Sequence, residues 1–136
     1  MNNLSQGYEL YGRIENLEKR IAGINDELYA LQGINYEKVV VTNSRKDNYR
    51  IETLIDEKKK FEEEIITMNE ELYKFCEELN NIISKIEIEE LRKVLIYRYI
   101  NFYDWNLIAS ILGISISYAY VLHRKAKKEY YKIIQQ

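Results

Sequence analysis

Apolar residues recur along the first part of the chain at alternating steps of three and four. A strict alternation of this kind is the heptad spacing of a coiled coil, in which one stripe of a helix packs on a partner helix. It predicts a helix over about residues 8–32, ended by Gly33, because glycine readily takes the left-handed conformation that stops a helix. The members of this first seam are Leu10, Ile14, Leu17, Ile21, Ile24, Leu28 and Leu31.

A second and longer seam follows, again with alternating steps of three and four. Lys58 is its one polar member, which either sets the register against a partner or turns its ammonium group into solvent. The seam predicts a helix over about residues 48–87, with Asp47 or Asn48 as its N-cap. Its members are Ile51, Leu54, Lys58, Phe61, Ile65, Met68, Leu72, Phe75, Leu79, Ile82 and Ile86.

The segment between the seams, residues 33–47, loses the helical rhythm. Its VVVT run has no second strand-like run to pair with, so we interpret the segment as a connecting loop. Two seams joined by a loop predict a long antiparallel coiled-coil hairpin over residues 1–87. Because the second predicted helix is longer than the first, apolar surface is left over. That surplus favours a homodimer through the Leu10–Leu31 and Ile51–Ile86 seams.

Residues 88–136 form a second predicted domain, whose first helix runs to about Ile100 with Arg92, Lys93 and Arg98 on its outer side. Its predicted inner residues are Leu91, Val94, Leu95, Tyr99 and Ile100.

Residues 104–131, DWNLIASILGISISYAYVLHRKAKKEYY, predict two short helices joined by a tight turn. Asp104 is placed to cap the first helix, Trp105 to Leu112, and Gly113 to stop it. Ser115 is placed to cap the last helix, which runs to about Ile133. This is the pattern of a helix-turn-helix, so the chain as a whole is predicted to be all-α.

The last helix separates into two stripes when its residues are placed at 100° intervals. Ala119, Leu122, Ala126 and Tyr130 fall on one stripe, which predicts the core side. The opposite side and its flanks carry small, aromatic and basic residues, which suit base edges and phosphates. The candidate DNA-binding residues are Ser115, Ser117, Tyr118, Tyr120, Val121, Arg124, Lys125, Lys127 and Lys128.

Charge is distributed unevenly along the chain. Residues 1–90 hold 12 Lys and Arg against 20 Asp and Glu, a net −8, whereas residues 91–136 hold 8 against 2, a net +6. A basic end on an acidic body indicates that the end alone meets a polyanion such as double-stranded DNA.

Catalytic and metal-binding patterns are absent from the sequence. There is no phosphate-cradling glycine loop, paired-histidine motif or nucleophile elbow, so we expect neither an enzyme nor a cofactor. The one histidine, His123, is expected at the surface or beside DNA, and the one cysteine, Cys76, has acidic neighbours that should raise its pKa. The glutamate clusters are expected on a solvated face rather than around a metal. With no membrane span, these features suit a cytoplasmic protein.

The segment LRKVLIYRYINFYDWNLIASILGISISYAYVLHRKAKKEYY resembles region four of bacterial sigma factors. It is closer to a group of phage and prophage transcriptional regulators, the ArpU-like late activators, through its LxxRYI helix end, its WxxIAxxLGIS turn and its SxAxxLHxKAxKxY run. The resemblance implies a transcriptional regulator that binds double-stranded DNA in the bacterial nucleoid, with RNA polymerase as a candidate partner. Ile116, Ser117, Tyr120 and Val121 stand where sigma factors usually carry arginine and glutamate, so a different promoter element is expected.

Two alternatives stay open at this point. A small terminase-type subunit, which recognises phage DNA for packaging, also combines a helix-turn-helix with oligomerising helices. A protein–protein adaptor would instead use the outer patch of the last helix to bind RNA polymerase or a sigma factor.

Overall fold

The computed structural model describes residues 3–37 and 45–136, and all regular secondary structure in these ranges is helical. The prediction of an all-α chain is confirmed. The helices are α1 (Gln6–Glu37), α2 (Arg45–Ile83), α3 (Glu89–Leu95) with a π-helical turn at Ile96–Ile100, α4 (Trp105–Leu112) and α5 (Ile116–Ile134). The VVVT run at 39–42 lies outside the described residues.

The two long helices extend further toward each other in sequence than predicted. Helix α1 continues through Gly33 to Glu37, and α2 begins at Arg45, so Asp47 and Asn48 lie inside its first turn rather than capping it. A glycine within a long helix lowers its stability by about 1 kcal/mol relative to alanine, and this penalty alone does not end the helix. Residues 33–37 and 45–47, which were predicted to lie in a loop, are therefore helical.

Helix α2 ends at Ile83 rather than near residue 87, because its last turn tightens. The amides of Lys85 and Ile86 donate to carbonyl oxygens three residues back, at 3.1 and 3.0 Å. The Arg92 guanidinium donates to the next carbonyl oxygens along the chain, that of Ile86 at 2.5 Å and that of Glu87 at 2.9 Å. A side chain from α3 thus satisfies the backbone at this helix end.

Backbone contacts divide the chain into two compact units, the middle unit, Tyr11–Glu70, and the terminal unit, Met1–Leu10 with Glu71–Gln136. This division does not coincide with the boundary predicted at residues 87 and 88. The reason is that the last part of α2 shares a core with the helices that follow it.

In the middle unit, the buried apolar residues of α1 and α2 are members of the two seams. Ile14, Leu17, Ile24 and Leu54 are buried, whereas the remaining seam members of this unit stay half-buried. Arg50 binds Glu27 at 2.8 Å, and the Arg20 guanidinium lies 5.6 Å from the centre of the Phe61 ring.

The terminal unit has a larger core, in which α3 and α4 both pack on α5. Its buried cluster draws on the N-terminal segment, the end of α2, α3 and α5. The cluster consists of Leu4, Phe75, Leu79, Ile83, Ile86, Leu91, Val94, Leu95, Leu122, Ala126 and Tyr130. Tyr99 and Ile100, which were predicted on the inner side, are half-buried and pack at the edge of this cluster.

The segment between α3 and α4 departs from regular α-helix. Its last turn is π-helical, with the Asn101 amide donating to the Ile96 carbonyl at 2.9 Å. Phe102 then takes a left-handed backbone conformation (φ 59°), which is unusual for a bulky residue, and its ring meets that of Tyr8 edge to face at 5.0 Å. These two features redirect the chain into α4.

Among the described residues, no single helix is long and apolar enough to cross a membrane. Helices α4 and α5 reach that length and mean hydropathy only when counted together, across a bend of 95°.

Candidate nucleic-acid interface

The turn between α4 and α5 is built from local signals. Gly113 has φ 67°, and the Ile114 amide reaches back to the Ala109 carbonyl at 3.0 Å, which closes α4 in a left-handed cap. A Cβ atom at Gly113 would touch nothing within 4 Å, so the requirement for glycine is conformational rather than steric. Three residues, 113–115, therefore join helices that cross at 95°.

Both helices of this pair begin at the caps that the sequence predicts. The Asp104 carboxylate accepts from the Leu107 amide at 2.8 Å, and the Ser115 hydroxyl oxygen accepts from the Tyr118 amide at 3.1 Å. Each cap satisfies one amide that the first helical turn leaves without a partner. The start of α5 is consequently held at a defined residue.

The inward stripe of α5 is buried as predicted. Ala119, Ala126 and Tyr130 are fully enclosed and Leu122 is nearly so. The alanines permit close approach of the neighbouring helices, while Leu122 and Tyr130 enter the core. Burial of this stripe determines which side of α5 is left facing solvent.

The candidate DNA-binding residues lie on the remaining surface of α5 and at its first turn. Seven of them are exposed, and Val121 and Lys127 are half-buried. Their four cations fall within residues 124–128, about 6 Å along the helix axis. None of the four forms an ion pair within 4 Å in the described part of the chain, where the ion pairs are Arg50–Glu27, Lys93–Glu89 and Lys132–Glu129.

Tyr120 has a second role that the stripe pattern does not reveal. Its ring lies 5.0 Å from that of Trp105 while the side chain remains 42% exposed. Trp105 therefore contacts the Tyr120 ring, while part of the Tyr120 side chain stays accessible to a ligand. An aromatic ring held in this way loses less conformational freedom when it binds a ligand.

Arg98 does not lie outside, as the sequence suggested, but is half-buried. Its guanidinium carbon is 4.9 Å from the Trp105 ring centre and 5.1 Å from that of Tyr8, and its Nη1 donates to the Tyr103 carbonyl at 3.1 Å. The Tyr8 hydroxyl donates in turn to the Arg98 carbonyl. Cation–π contacts of this kind stabilise the start of α4 rather than leaving a charge for DNA.

His123 also differs from its prediction, because it is half-buried among aromatic rings. Its ring stacks on Tyr99 at 5.7 Å and meets Trp105 at 4.7 Å. Burial lowers the pKa of His123 to about 4, helped by nearby cations, and raises the pKa of Tyr99 to about 12. Since the imidazole is neutral and the phenol protonated at neutral pH, the Tyr99 hydroxyl donates to His123 Nε2 at 2.6 Å.

Cys76 has a raised pKa, as predicted, but the cause is burial beside the core rather than its acidic neighbours. The glutamates that could suggest a metal site are exposed, and the described residues contain no group of three or more His, Cys, Asp or Glu able to hold a metal ion. These glutamates are Glu62–Glu64, Glu70, Glu71, Glu87, Glu89 and Glu90.

Comparison of the chain with protein-family models, with curated proteins and with solved structures finds no match.

Proposed function

We propose that the chain is a phage-type transcriptional regulator that binds double-stranded DNA as a dimer and acts in the bacterial cytoplasm. In this proposal α4, the turn and α5 form a helix-turn-helix, and α1 and α2 form an antiparallel coiled-coil hairpin. One observation carries it. Helix α5 buries its apolar stripe, follows a capped three-residue turn at 95°, and leaves four cations without an ion partner among the described residues. Helix-turn-helix domains join their helices at about 90–120°.

Roles follow from position along α5. Ser117, Tyr120 and Val121 lie in its first half, where a recognition helix meets base edges, and can contact thymine methyl groups and sugars. Tyr118 and Ser115 lie beside them at the helix start, where backbone phosphates bind. The Ser115 hydroxyl can donate to such a phosphate. The basic residues further along suit phosphates and carry no sequence information. These are Arg124, Lys125, Lys127 and Lys128.

Replacing Arg124 and Lys128 together with alanine tests the phosphate contacts. We expect weaker binding to every duplex sequence and a salt dependence of log K shallower by roughly 1.8, since each phosphate contact contributes about 0.9. Fluorescence anisotropy across a salt series measures both. The matched control is Lys74→Ala with Lys85→Ala, which removes the same charge from exposed positions outside α5 and should leave binding nearly unchanged. Equal salt slopes in all three proteins would refute the assignment.

Selection of bound sequences from random duplex DNA tests the reading of bases. A dimer should select two half-sites separated by about 10 bp or a multiple, because its two recognition helices enter successive major grooves on one side of the duplex. A pool that stays random after selection would contradict sequence-specific binding.

A second function, protein binding, is favoured by exposed apolar side chains on the same helix pair. Leu107 and Ile111 lie one turn apart on α4 and are 43% and 47% exposed, and Ile116 at the start of α5 is 41% exposed. Apolar groups on an outer helix face suit a protein partner such as RNA polymerase. Leu107→Ser with Ile111→Ser should abolish polymerase binding in a pull-down and leave DNA affinity intact if this function holds.

A further inference from the structure

One flank of α2 in the middle unit carries two exposed isoleucines that its seam does not use. Ile55 is 46% exposed and Ile66 is 59% exposed, and between them on the same flank lie the exposed Lys59 and Glu62. At 100° per residue these four side chains fall within about 60° of one another and about 100° round the helix from the second seam. We call this flank, consisting of Ile55, Lys59, Glu62 and Ile66, the IKEI face.

The order of the IKEI face is symmetric about its midpoint. Its steps are four, three and four residues, with an apolar residue at each end and one basic and one acidic residue between them. When a second copy of α2 lies antiparallel on it, Ile55 meets the partner's Ile66, and Lys59 meets the partner's Glu62. The two-fold axis repeats both contacts, as in any isologous interface.

The charges needed for this contact are not used elsewhere in the described part of the chain. Neither the Lys59 ammonium nor the Glu62 carboxylate takes part in its ion pairs, which lie at Arg50–Glu27, Lys93–Glu89 and Lys132–Glu129. The seams, in contrast, are already partly buried within one chain, at Ile14, Leu17, Ile24 and Leu54. The IKEI face is therefore more available than the seams for a contact between two chains.

We propose that the IKEI face binds the IKEI face of a second copy of this chain, antiparallel, to form a two-fold dimer. The proposal rests on the proposed function only for the use of the dimer, which contains two copies of α5. Burial of four isoleucine side chains drives association, and the Lys59–Glu62 pairs set the orientation and register.

Charge reversal tests the contact directly. Lys59→Glu places two acidic groups together at both symmetric positions, and Glu62→Lys places two basic groups there. We expect each single variant to raise the dimer dissociation constant about tenfold or more in sedimentation equilibrium at low salt. Mixed in equal amounts, the two variants should form a heterodimer of about wild-type affinity, because both contacts then join an acid to a base.

The matched controls are Lys60→Glu and Glu64→Lys, which make the same charge changes at exposed positions well away from the IKEI face around α2. They should dimerise as the wild type does. Circular dichroism checks that helix content is equal in all variants, since reversal also creates like charges three residues apart within one helix. The variant Ile66→Glu should weaken the dimer in any mixture.

Three outcomes would overturn the proposal. They are a monomeric wild-type chain, a dimer that no reversal weakens, and a mixture of the single variants that behaves as the average of its parents. DNA affinity measured on the same preparations separates this proposal from the function above. Dimerisation without salt-dependent DNA binding would refute only the function, and salt-dependent DNA binding by a dimer that no charge reversal weakens would refute only the IKEI contact.

Discussion

The two units of this chain bury their apolar residues to very different degrees. Within the described residues, the terminal unit encloses several side chains completely, whereas Leu54 is the most deeply buried apolar residue in the middle unit. The fully enclosed residues of the terminal unit are Ile83, Val94, Leu95, Ile108, Ala119, Ala126 and Tyr130.

Geometry explains the difference. Helices that cross at steep angles, as α4 and α5 do at 95°, can surround a residue on all sides. Two helices lying side by side cover only one stripe of each other and leave the flanks open. The terminal unit therefore contains a core of its own, while the middle unit leaves apolar side chains such as Ile55 and Ile66 exposed.

The largest expected effect compares the same substitution in the two units. Leu95→Ala should lower the free energy of unfolding by about 2–5 kcal/mol, because it leaves a cavity in an enclosed site. Leu28→Ala, at a half-buried seam position, should cost less than about 2 kcal/mol, since solvent fills the space. Urea denaturation measures both, and equal losses would contradict the contrast between the units.

A glycine-to-alanine substitution should change the free energy of unfolding in opposite directions in the two units. Gly113→Ala forces an L side chain into a left-handed conformation and should destabilise by about 1–2 kcal/mol. Gly23→Ala lies inside α1, where a Cβ atom touches nothing within 4 Å, and should stabilise by up to about 1 kcal/mol. Thermal unfolding of the two variants provides the measurement. Stabilisation by Gly113→Ala would show that the turn does not need its positive φ.

The smallest expected effect is a pH response confined to the terminal unit, which holds the chain's one histidine. The pKa of His123 is about 4 in the fold against about 6.5 in the unfolded chain. Between these values the unfolded state binds the proton and the folded state does not. The stabilisation is therefore complete above about pH 6.5 and is lost as the pH falls toward 4.

Urea midpoints at pH 7 and pH 5.5 should show this loss, reduced by the partial exposure of the ring. The variant His123→Gln, which has no proton to gain in this range, should lose less stability over the same interval. An imidazole signal that titrates near pH 6.5 in the folded protein would contradict the burial of His123.

Local sequence signals predicted the helix pair well. The bounds of α4, both caps and the stop at Gly113 agree with the structure because each depends on a few neighbouring residues. The same reasoning failed at Gly33 and Asp47, where a competent stop or cap residue lies inside a helix. A stop or cap residue is therefore not sufficient by itself to end or begin a helix.

The exposed surface of the candidate interface could be predicted from the sequence, but the contacts that hold it in place could not. The inward stripe of α5 could be read from periodicity alone, and so could its basic surface. The position of Arg98 could not, because one of the rings it contacts belongs to Tyr8, 90 residues earlier in the chain. His123 likewise depends on Tyr99 and Trp105, whose proximity no spacing reveals.

The sequence by itself determined the helices of this chain and the apolar stripe of each, since 3.6-residue periodicity and capping act over a few residues. The tertiary structure decided what covers each stripe, because that depends on which elements meet in space. It placed the end of α2 in the core of the terminal unit, turned Arg98 and His123 inward, and left the IKEI face of α2 and three cations of α5 exposed, namely Arg124, Lys125 and Lys128.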